Sequence, residues 1–190
     1  MVDTEAVKEH IRGIIIALGD DPDREGLVET PDRVARMYEE MFEGMNYTNR
    51  DIADMMGKTF DMGYHSTDMV IVRDIEIFSY CEHHLALMYD MKVTVGYIPK
   101  GRVLGLSKIA RIADLASKRL QLQERIGADI ADIISMAAKT EDVAVYIEGK
   151  HSCMTARGIK SRSSVTQSVT MRGRFREDNM QNRFYMQLKG

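Results

Sequence analysis

Apolar residues recur every three or four positions in the first part of the chain, which predicts two amphipathic helices. The first apolar stripe runs from Val7 to Leu18 and is followed by turn-forming residues. The second helix is predicted to begin at Thr30-Pro31, where a capping residue precedes a proline, and Gly44 is expected to end it. Residues 46–66 show no clear period, so we predict a loop or connector there.

Strand and helix patterns follow one another in the rest of the chain. Residues 69–78 are rich in Val and Ile, and apolar and polar residues alternate from Met91 to Tyr97, so two strands are predicted, joined through the segment 81–90. Two helices come next, the first capped by Ser107. Strand patterns then return over residues 143–147, 151–157 and 165–171. This order predicts an α+β fold, with both helices against an antiparallel sheet.

Length and charge limit the possible functions. The 190 residues suit one functional domain, with an N-terminal helical region and connector (1–66) and a sheet-bearing catalytic region (67–190). The formal net charge of -3 gives no general attraction to nucleic acid or to an anionic membrane, so neither is an expected partner. No secretory leader or long apolar stretch is visible, and we expect a cytoplasmic protein.

Both cysteines and three of the five histidines lie in two short segments, Cys81-Glu82-His83-His84 and His151-Ser152-Cys153. Thiolate and imidazole are the side chains that bind zinc, and three such ligands leave one position open for chemistry. Two other interpretations remain possible, a disulfide bond or two ordinary buried thiols. The histidine beside each cysteine favours the metal site.

The spacing of these residues suggests how the ligands could meet. Cys81 and His84 can converge from one tight turn, and Cys153 must then arrive from a distant strand. If residues 151–157 are extended, His151, Cys153 and Arg157 share one face, because side chains alternate along a strand. The alternative for this segment is a solvated polar edge strand.

A zinc ion with three protein ligands lowers the pKa of bound water to about 7, so the expected reaction is hydrolytic. His83 is not needed as a ligand if His84 fills that role. A free imidazole beside the metal titrates near neutrality and suits proton transfer. The alternative is that His83 is a core histidine whose hydrogen bonds are satisfied within the protein.

Two further groups of residues could bind a nucleotide. Ser107, Lys108 and Arg111 lie at a predicted helix start, where backbone N–H groups and cations can hold phosphate, although a capped helix with surface cations gives the same pattern. Gln123 and Glu124 place an amide beside a carboxylate, which could accept hydrogen bonds from a guanine-like N–H edge. On a helix such a pair is more often solvated.

The chain resembles the GTP cyclohydrolase I family, whose zinc enzymes convert GTP to 7,8-dihydroneopterin triphosphate. The matching stretches are Glu29-Thr30-Pro31 with residues 33–38, Cys81-Glu82-His83-His84, Tyr97-Ile98-Pro99, Gly105 to Arg111, Gln121 to Arg125, His151 to Met154, and Arg157-Gly158. The resemblance extends from residue 29 to residue 158. The chain departs from the family after the histidine pair. Many relatives have Pro-Phe and then Gly there, whereas this chain has the segment Leu85 to Met91.

The resemblance implies a role for each candidate residue. It implies one zinc ion per subunit on Cys81, His84 and Cys153, and acid/base roles for His83 and His151. The implied triphosphate contacts are Ser107, Lys108, Arg111 and Arg157, and the implied guanine contacts are Gln123 and Glu124. It also implies a tunnelling fold, in which two pentameric rings stack as a homodecamer with active sites between subunits.

Two other functions remain open from the sequence. One is a related tunnelling-fold enzyme that acts on a modified purine or pterin through a cysteine nucleophile. The other is a non-catalytic nucleotide-binding or assembly protein, since a fold does not by itself establish an activity.

Overall fold

The computed structural model describes residues 2–63 and 68–188. The predicted division after residue 66 therefore lies outside the described residues. The helices within the described ranges are α1 (Thr4–Ala17), α2 (Thr30–Met41), α3 (Asn49–Met56), α4 (Leu106–Ser117), α5 (Gln123–Ala138), α6 (Ser152–Thr155) and α7 (Asp178–Leu188). The strands are β1 (Thr59–Asp61), β2 (Val70–Cys81), β3 (Ala86–Tyr97), β4 (Arg102–Leu104), β5 (Leu120–Gln121), β6 (Val143–His151) and β7 (Thr166–Met171).

A five-stranded sheet with the order β5-β2-β3-β6-β7 forms the centre of the fold. All neighbours in it are antiparallel except the two-residue β5, which runs parallel to β2. Cys81 pairs with Ala86 at one end of the β2–β3 ladder, and Val70 pairs with Tyr97 at the other. We call these the Cys81 end and the Tyr97 end. The predicted α+β class is confirmed.

Helices α4 and α5 pack on one face of this sheet. Their isoleucines form a buried layer with the alternate residues of the strands, among them Val145 and Ile147 of β6. Ala144 and Tyr146 alternate with these residues and therefore lie on the opposite face. That face is covered by α7 through Phe184, which lies with Phe175 in a second buried cluster near the Tyr97 end.

Helix α4 runs from one end of the sheet to the other. Just before it, the backbone N–H of Leu104 donates to the hydroxyl of Tyr97 over 2.9 Å. At its last residue, the carbonyl of Ser117 accepts from the Ser79 hydroxyl over 2.7 Å, close to Cys81 along β2. Twelve residues of α-helix span about 18 Å. The two ends of α4 therefore lie at the two ends of the sheet.

The structure corrects the prediction of a loop over residues 46–66. The described part of this segment contains β1 and the two-turn helix α3, which begins with a capping box between Thr48 and Asp51. Ile52 and Ala53 are the buried residues of α3. A helix of eight residues is too short to show a periodic pattern, which is why the sequence did not reveal it.

Two details of α2 also differ from prediction. Glu29 rather than Thr30 occupies the cap position, so the proline is the second helical residue. The helix ends at Met41, before Gly44, which lies in a 3-10 turn from Glu43 to Asn46. A Cβ atom at Gly44 would lie 2.0 Å from the carbonyl oxygen of Leu115. This glycine therefore permits close packing against α4 instead of ending α2.

Arg119 connects the N-terminal region to the sheet-bearing part of the chain. Its guanidinium donates to the backbone carbonyls of Gly44 and Tyr47 and to the side chains of Asn49 and Asp129, over 2.7–3.1 Å. Arg119 and Asp129 are mostly buried. Every one of these bonds joins residues far apart in sequence or on different elements, so sequence pattern alone could not indicate them.

Across the two described ranges, we find no helix with the length and hydrophobicity that crossing a bilayer requires.

Candidate active site

Cys81 is the last residue of β2, and His84 lies in the tight turn that joins β2 to β3. The turn consists only of residues 82–85, and is thus shorter than the predicted connection over residues 81–90. The backbone N–H of His84 donates to the carbonyl of Cys81 over 3.3 Å, which closes the turn. Leu85 has a φ of 49°, a left-handed conformation that is unfavourable for a leucine. The turn directs the Cys81 and His84 side chains to one place, as the spacing predicts.

Cys153 reaches this place from the short helix α6. The prediction that residues 151–157 are extended is wrong, since the chain turns into a helix directly after His151. The Ser152 hydroxyl donates to the Leu87 carbonyl over 2.7 Å, and the Tyr89 hydroxyl donates to that of Thr155 over 3.1 Å. These bonds hold α6 on β3 and replace the strand ladder. Strand alternation therefore does not place His151, Cys153 and Arg157 on one face, and that prediction is wrong as well.

The three candidate ligands form a compact group. The thiol Sγ atoms of Cys81 and Cys153 and a ring nitrogen of His84 all lie within 4.8 Å of one another. Ligands of a tetrahedral zinc ion with Zn–S bonds of 2.3 Å lie about 3.8 Å apart. Both cysteines are free thiols. The donor types and their separations therefore fit a metal ion, with small shifts of the side chains.

Charge and burial around the thiols are consistent with this fit. Burial raises the pKa of the Cys153 thiol, and the nearby Cys81 thiol raises it further. The Nη1 atom of Arg157 lies 3.3 Å from Nε2 of His84. Two thiols close together resist losing their protons unless a cation compensates the charge.

Both predicted acid/base histidines lie at the Cys81 end. His83 is exposed, and its ring meets that of His84 edge-on, with centroids 6.3 Å apart. His151 is half-buried at the end of β6. Burial lowers the pKa of His151, and the Glu124 carboxylate opposes that effect. The structure thus places one exposed and one partly buried imidazole at the end of the sheet that carries the candidate metal ligands.

Gln123 and Glu124 begin α5 and point to different surroundings. Gln123 is buried, and its Nε2 donates to the carbonyls of Ile147 and Thr166 and to the Ser168 hydroxyl. Its Oε1 lies 2.9 Å from Nε2 of His151. The Glu124 side chain is exposed. The Gln123 amide is thus engaged within the chain, whereas the Glu124 carboxylate is open to a ligand.

An ion pair that the sequence did not reveal fixes the turn that carries the ligands. The two terminal nitrogens of the Arg125 guanidinium donate to the Glu82 carboxylate, over 2.5 and 3.1 Å. Hydrogen bonding from Arg125 lowers the pKa of Glu82. The Glu82 backbone N–H also donates to the carbonyl of Gln121 over 3.1 Å. These contacts tie the turn to the start of α5, and no local pattern links positions so far apart in sequence.

The three predicted phosphate-binding residues of α4 lie elsewhere. Gly105 occupies the cap position and Ser107 is the second helical residue, so the prediction of Ser107 as the cap is wrong. Ser107 and Arg111 are exposed, whereas Lys108 is half-buried with its Nζ 3.9 Å from the sulfur of Met56. Because α4 starts at the Tyr97 end, Ser107 lies about 15 Å along the helix from Ser117. One chain therefore does not bring these residues to its own metal ligands.

Comparison with known proteins agrees with this geometry. Residues 7–189 match the family model described as GTP cyclohydrolase I. The chain belongs to the GTP cyclohydrolase I family. A protein of Clostridium acetobutylicum named GTP cyclohydrolase 1 is 60% identical over 181 residues, which cover 94% of this chain and 93% of the relative. One of Ruminiclostridium cellulolyticum with the same name is 58% identical over 193 residues and 99% of both chains.

Proposed function

We propose that this chain is a zinc-dependent GTP cyclohydrolase I. It hydrolyses GTP at C8 of the guanine, releases formate and forms 7,8-dihydroneopterin triphosphate by rearrangement. Family membership and identities near 60% to proteins named GTP cyclohydrolase 1 support this activity. The observation that carries the proposal is the convergence of Cys81, His84 and Cys153 beside two histidines. A cytoplasmic location, where thiols remain reduced, belongs to the same proposal.

The metal ligands and the histidines have separate roles in this proposal. Cys81, His84 and Cys153 hold one zinc ion per chain. When bound, zinc supplies a Lewis acid that activates water at neutral pH. His83, exposed beside the ligand His84, and His151 move protons during ring opening and rearrangement. His83 is adjacent to the ligand His84, and His151 lies two residues before the ligand Cys153.

Within the chain that holds the metal, the proposed GTP-binding residues come from α5 and from the segment after α6. The exposed Glu124 carboxylate accepts hydrogen bonds from the N–H edge of the guanine. Gln123 belongs to the same guanine-binding proposal, although its amide is occupied within the chain. Arg157 is exposed close to His84 and contacts the triphosphate.

A second copy of the chain completes the site. Ser107, Lys108 and Arg111 lie toward the Tyr97 end, so in this proposal they bind the triphosphate of a GTP held at the Cys81 end of a neighbour. The five-stranded sheet ends in β7 on one side and in β2 with its short partner β5 on the other. Edge strands can pair with those of another copy. We therefore propose a tunnelling fold and a homodecamer of two pentamers, with residues 1–66 as helical region and connector and 67–190 as catalytic region.

The catalytic proposal is tested by supplying GTP to metal-replete protein. Formate release and a pterin that becomes fluorescent after oxidation are the expected products. His83→Ala and His151→Ala should keep zinc and lose turnover by about 10²-fold or more, the usual contribution of a general acid or base. Metal-replete protein that binds GTP but yields neither product would support the non-catalytic interpretation instead.

The shared-site proposal is tested by mixing two inactive variants. Cys153→Ser removes a metal ligand and Lys108→Ala removes a phosphate contact, each on its own chain. If one site takes residues from two chains, random mixing at equal amounts leaves about one quarter of the sites intact. Co-expressed variants should then recover that fraction of activity. Mixed particles as inactive as each variant alone would contradict a site built from two copies.

A further inference from the structure

Gln123 is a buried amide that connects His151 to the core. The side chain is 1% exposed and lies in the first turn of α5. Its nitrogen donates to the carbonyl oxygens of Ile147 and Thr166 over 3.2 and 3.0 Å and approaches the Ser168 hydroxyl at 3.3 Å. Strands β6 and β7 thus hold the amide in place from two sides.

These contacts determine which way the amide faces. A carbonyl oxygen only accepts hydrogen bonds, so the two carbonyls of Ile147 and Thr166 require the nitrogen of Gln123 on their side. A flipped amide would turn its oxygen toward both of these carbonyls, and neither carbonyl has a proton to donate. The Gln123 oxygen therefore faces Nε2 of His151, at 2.9 Å. An amide oxygen cannot donate, so Nε2 must carry the proton.

We propose that Gln123 is a positioning residue that holds the His151 ring in one orientation, through the hydrogen bond that its amide oxygen accepts from Nε2. This inference rests on the proposed acid/base role of His151. Because β6 and β7 hold the amide in place, the ring keeps the same orientation from one turnover to the next.

A double-mutant cycle between Gln123 and His151 tests this role. Gln123→Met keeps the length of the side chain and removes both amide functions. We expect it to lower kcat for pterin formation by about 10- to 100-fold, as loss of an orienting partner usually does, with zinc content unchanged. In a His151→Ala background the same change should lower kcat less than about twofold, because the group it orients is gone.

Gln121→Met is the matched control. Gln121 is equally buried, with 1% exposure, and its Nε2 donates to the Ala116 carbonyl and the Asp129 carboxylate. Within the described part of the chain, its Oε1 has no hydrogen-bond partner. This variant should lose thermal stability as Gln123→Met does, but keep kcat. If both variants lost kcat in proportion to stability, the role of Gln123 would be structural only.

Gln123→Glu keeps an acceptor oxygen for His151 and loses the paired N–H donors. It should therefore retain more kcat than Gln123→Met although it is no more stable, and it carries the test if Gln123→Met folds poorly. A raised KM for GTP with unchanged kcat would show that Gln123 acts only in guanine binding and would overturn the proposal. An equal loss of kcat with and without His151 would overturn it too. Full turnover by His151→Ala alone would instead refute the proposed role of His151, and this inference with it.

Discussion

The two ends of the central sheet are built from different chemistry. At the Tyr97 end, Tyr97, Phe175 and Phe184 are fully buried, and the Tyr97 hydroxyl has a backbone partner. At the Cys81 end, by contrast, the side chains of His83, Glu124 and Arg157 are exposed. The turn there also contains Leu85 in a left-handed conformation.

This difference separates stability from function within one small sheet. Apolar burial at the Tyr97 end supplies free energy of folding, because aromatic side chains there leave water completely. Polar groups at the Cys81 end keep their hydrogen-bonding capacity for a metal and a substrate. Backbone strain is tolerated in that turn because the rest of the sheet holds its ends. Changes at the two ends should therefore have separable effects.

The largest effect is expected from Cys153→Ser at the Cys81 end. Zinc content should fall close to zero and GTP turnover to background, because only two ligands remain. Stability measured by urea unfolding with a chelator present should change by less than about 1 kcal/mol, since Cys153 is only half-buried. Met154→Ala, at the exposed neighbouring position, should keep both zinc and turnover. Retained zinc and a trapped covalent adduct would indicate a cysteine nucleophile instead.

Phe184→Ala tests the opposite end. The ring is 0% exposed and meets Phe175 edge-on at 5.8 Å between centroids, so its removal should cost about 3–5 kcal/mol of unfolding free energy. The folded fraction should still bind zinc. Met186→Ala on the same helix changes a side chain that is 70% exposed and should stay within about 0.5 kcal/mol of the parent. A specific loss of zinc in folded Phe184→Ala would show that the ends are coupled.

A smaller effect of opposite sign is expected from Leu85→Gly. A left-handed conformation costs a non-glycine residue about 1–2 kcal/mol, and the added flexibility of glycine costs about 0.5–1 kcal/mol. The net result should be a stabilisation of about 0.5 kcal/mol in urea unfolding. Ala86→Gly, one residue later in β3, should destabilise, because no strain is relieved there. The account of the turn would be wrong if Leu85→Gly were the less stable of the two.

The smallest effect concerns alkaline stability near the Tyr97 end. Burial, together with a hydrogen bond to Glu148, raises the pKa of Tyr146 to about 12. A raised pKa means that the folded protein holds the proton more tightly, so this contribution is complete below pH 10 and is lost as the pH rises toward 12. The stability advantage of the parent over Tyr146→Phe should narrow between pH 10 and pH 12. A constant difference over that interval would contradict the assignment.

Sequence pattern predicted those parts of the site that are local. Cys81 and His84 are three residues apart, so one turn is enough to bring them together, and the sequence predicted that turn. Cys153 was predicted as a ligand from its residue type and neighbours, but the extended backbone predicted for its segment was wrong. A four-residue helix held by the Ser152 hydroxyl on β3 delivers it, and hydrogen bonds to a distant strand leave no periodic pattern in the sequence.

The relations that the sequence could not show are those between distant segments. Gln123 meets His151 only because α5 packs beside the end of β6, and the same packing occupies the amide that was expected to contact guanine. The separation of Ser107 from Cys81 follows from the direction in which α4 crosses the sheet. Residue types suggested each group, whereas topology decided which groups share a site within one chain.

X-ray absorption at the zinc edge of the metal-replete protein tests the central claim most directly. The account predicts about one zinc per chain, with two sulfur neighbours near 2.3 Å and one nitrogen neighbour near 2.0 Å, and with a light atom such as a water oxygen completing the shell. In Cys153→Ser, freed of unbound zinc, the sulfur-coordinated zinc signal should be lost almost completely. A zinc shell with no sulfur neighbours, or one unchanged in that variant, would contradict the claim that Cys81, His84 and Cys153 form the metal site.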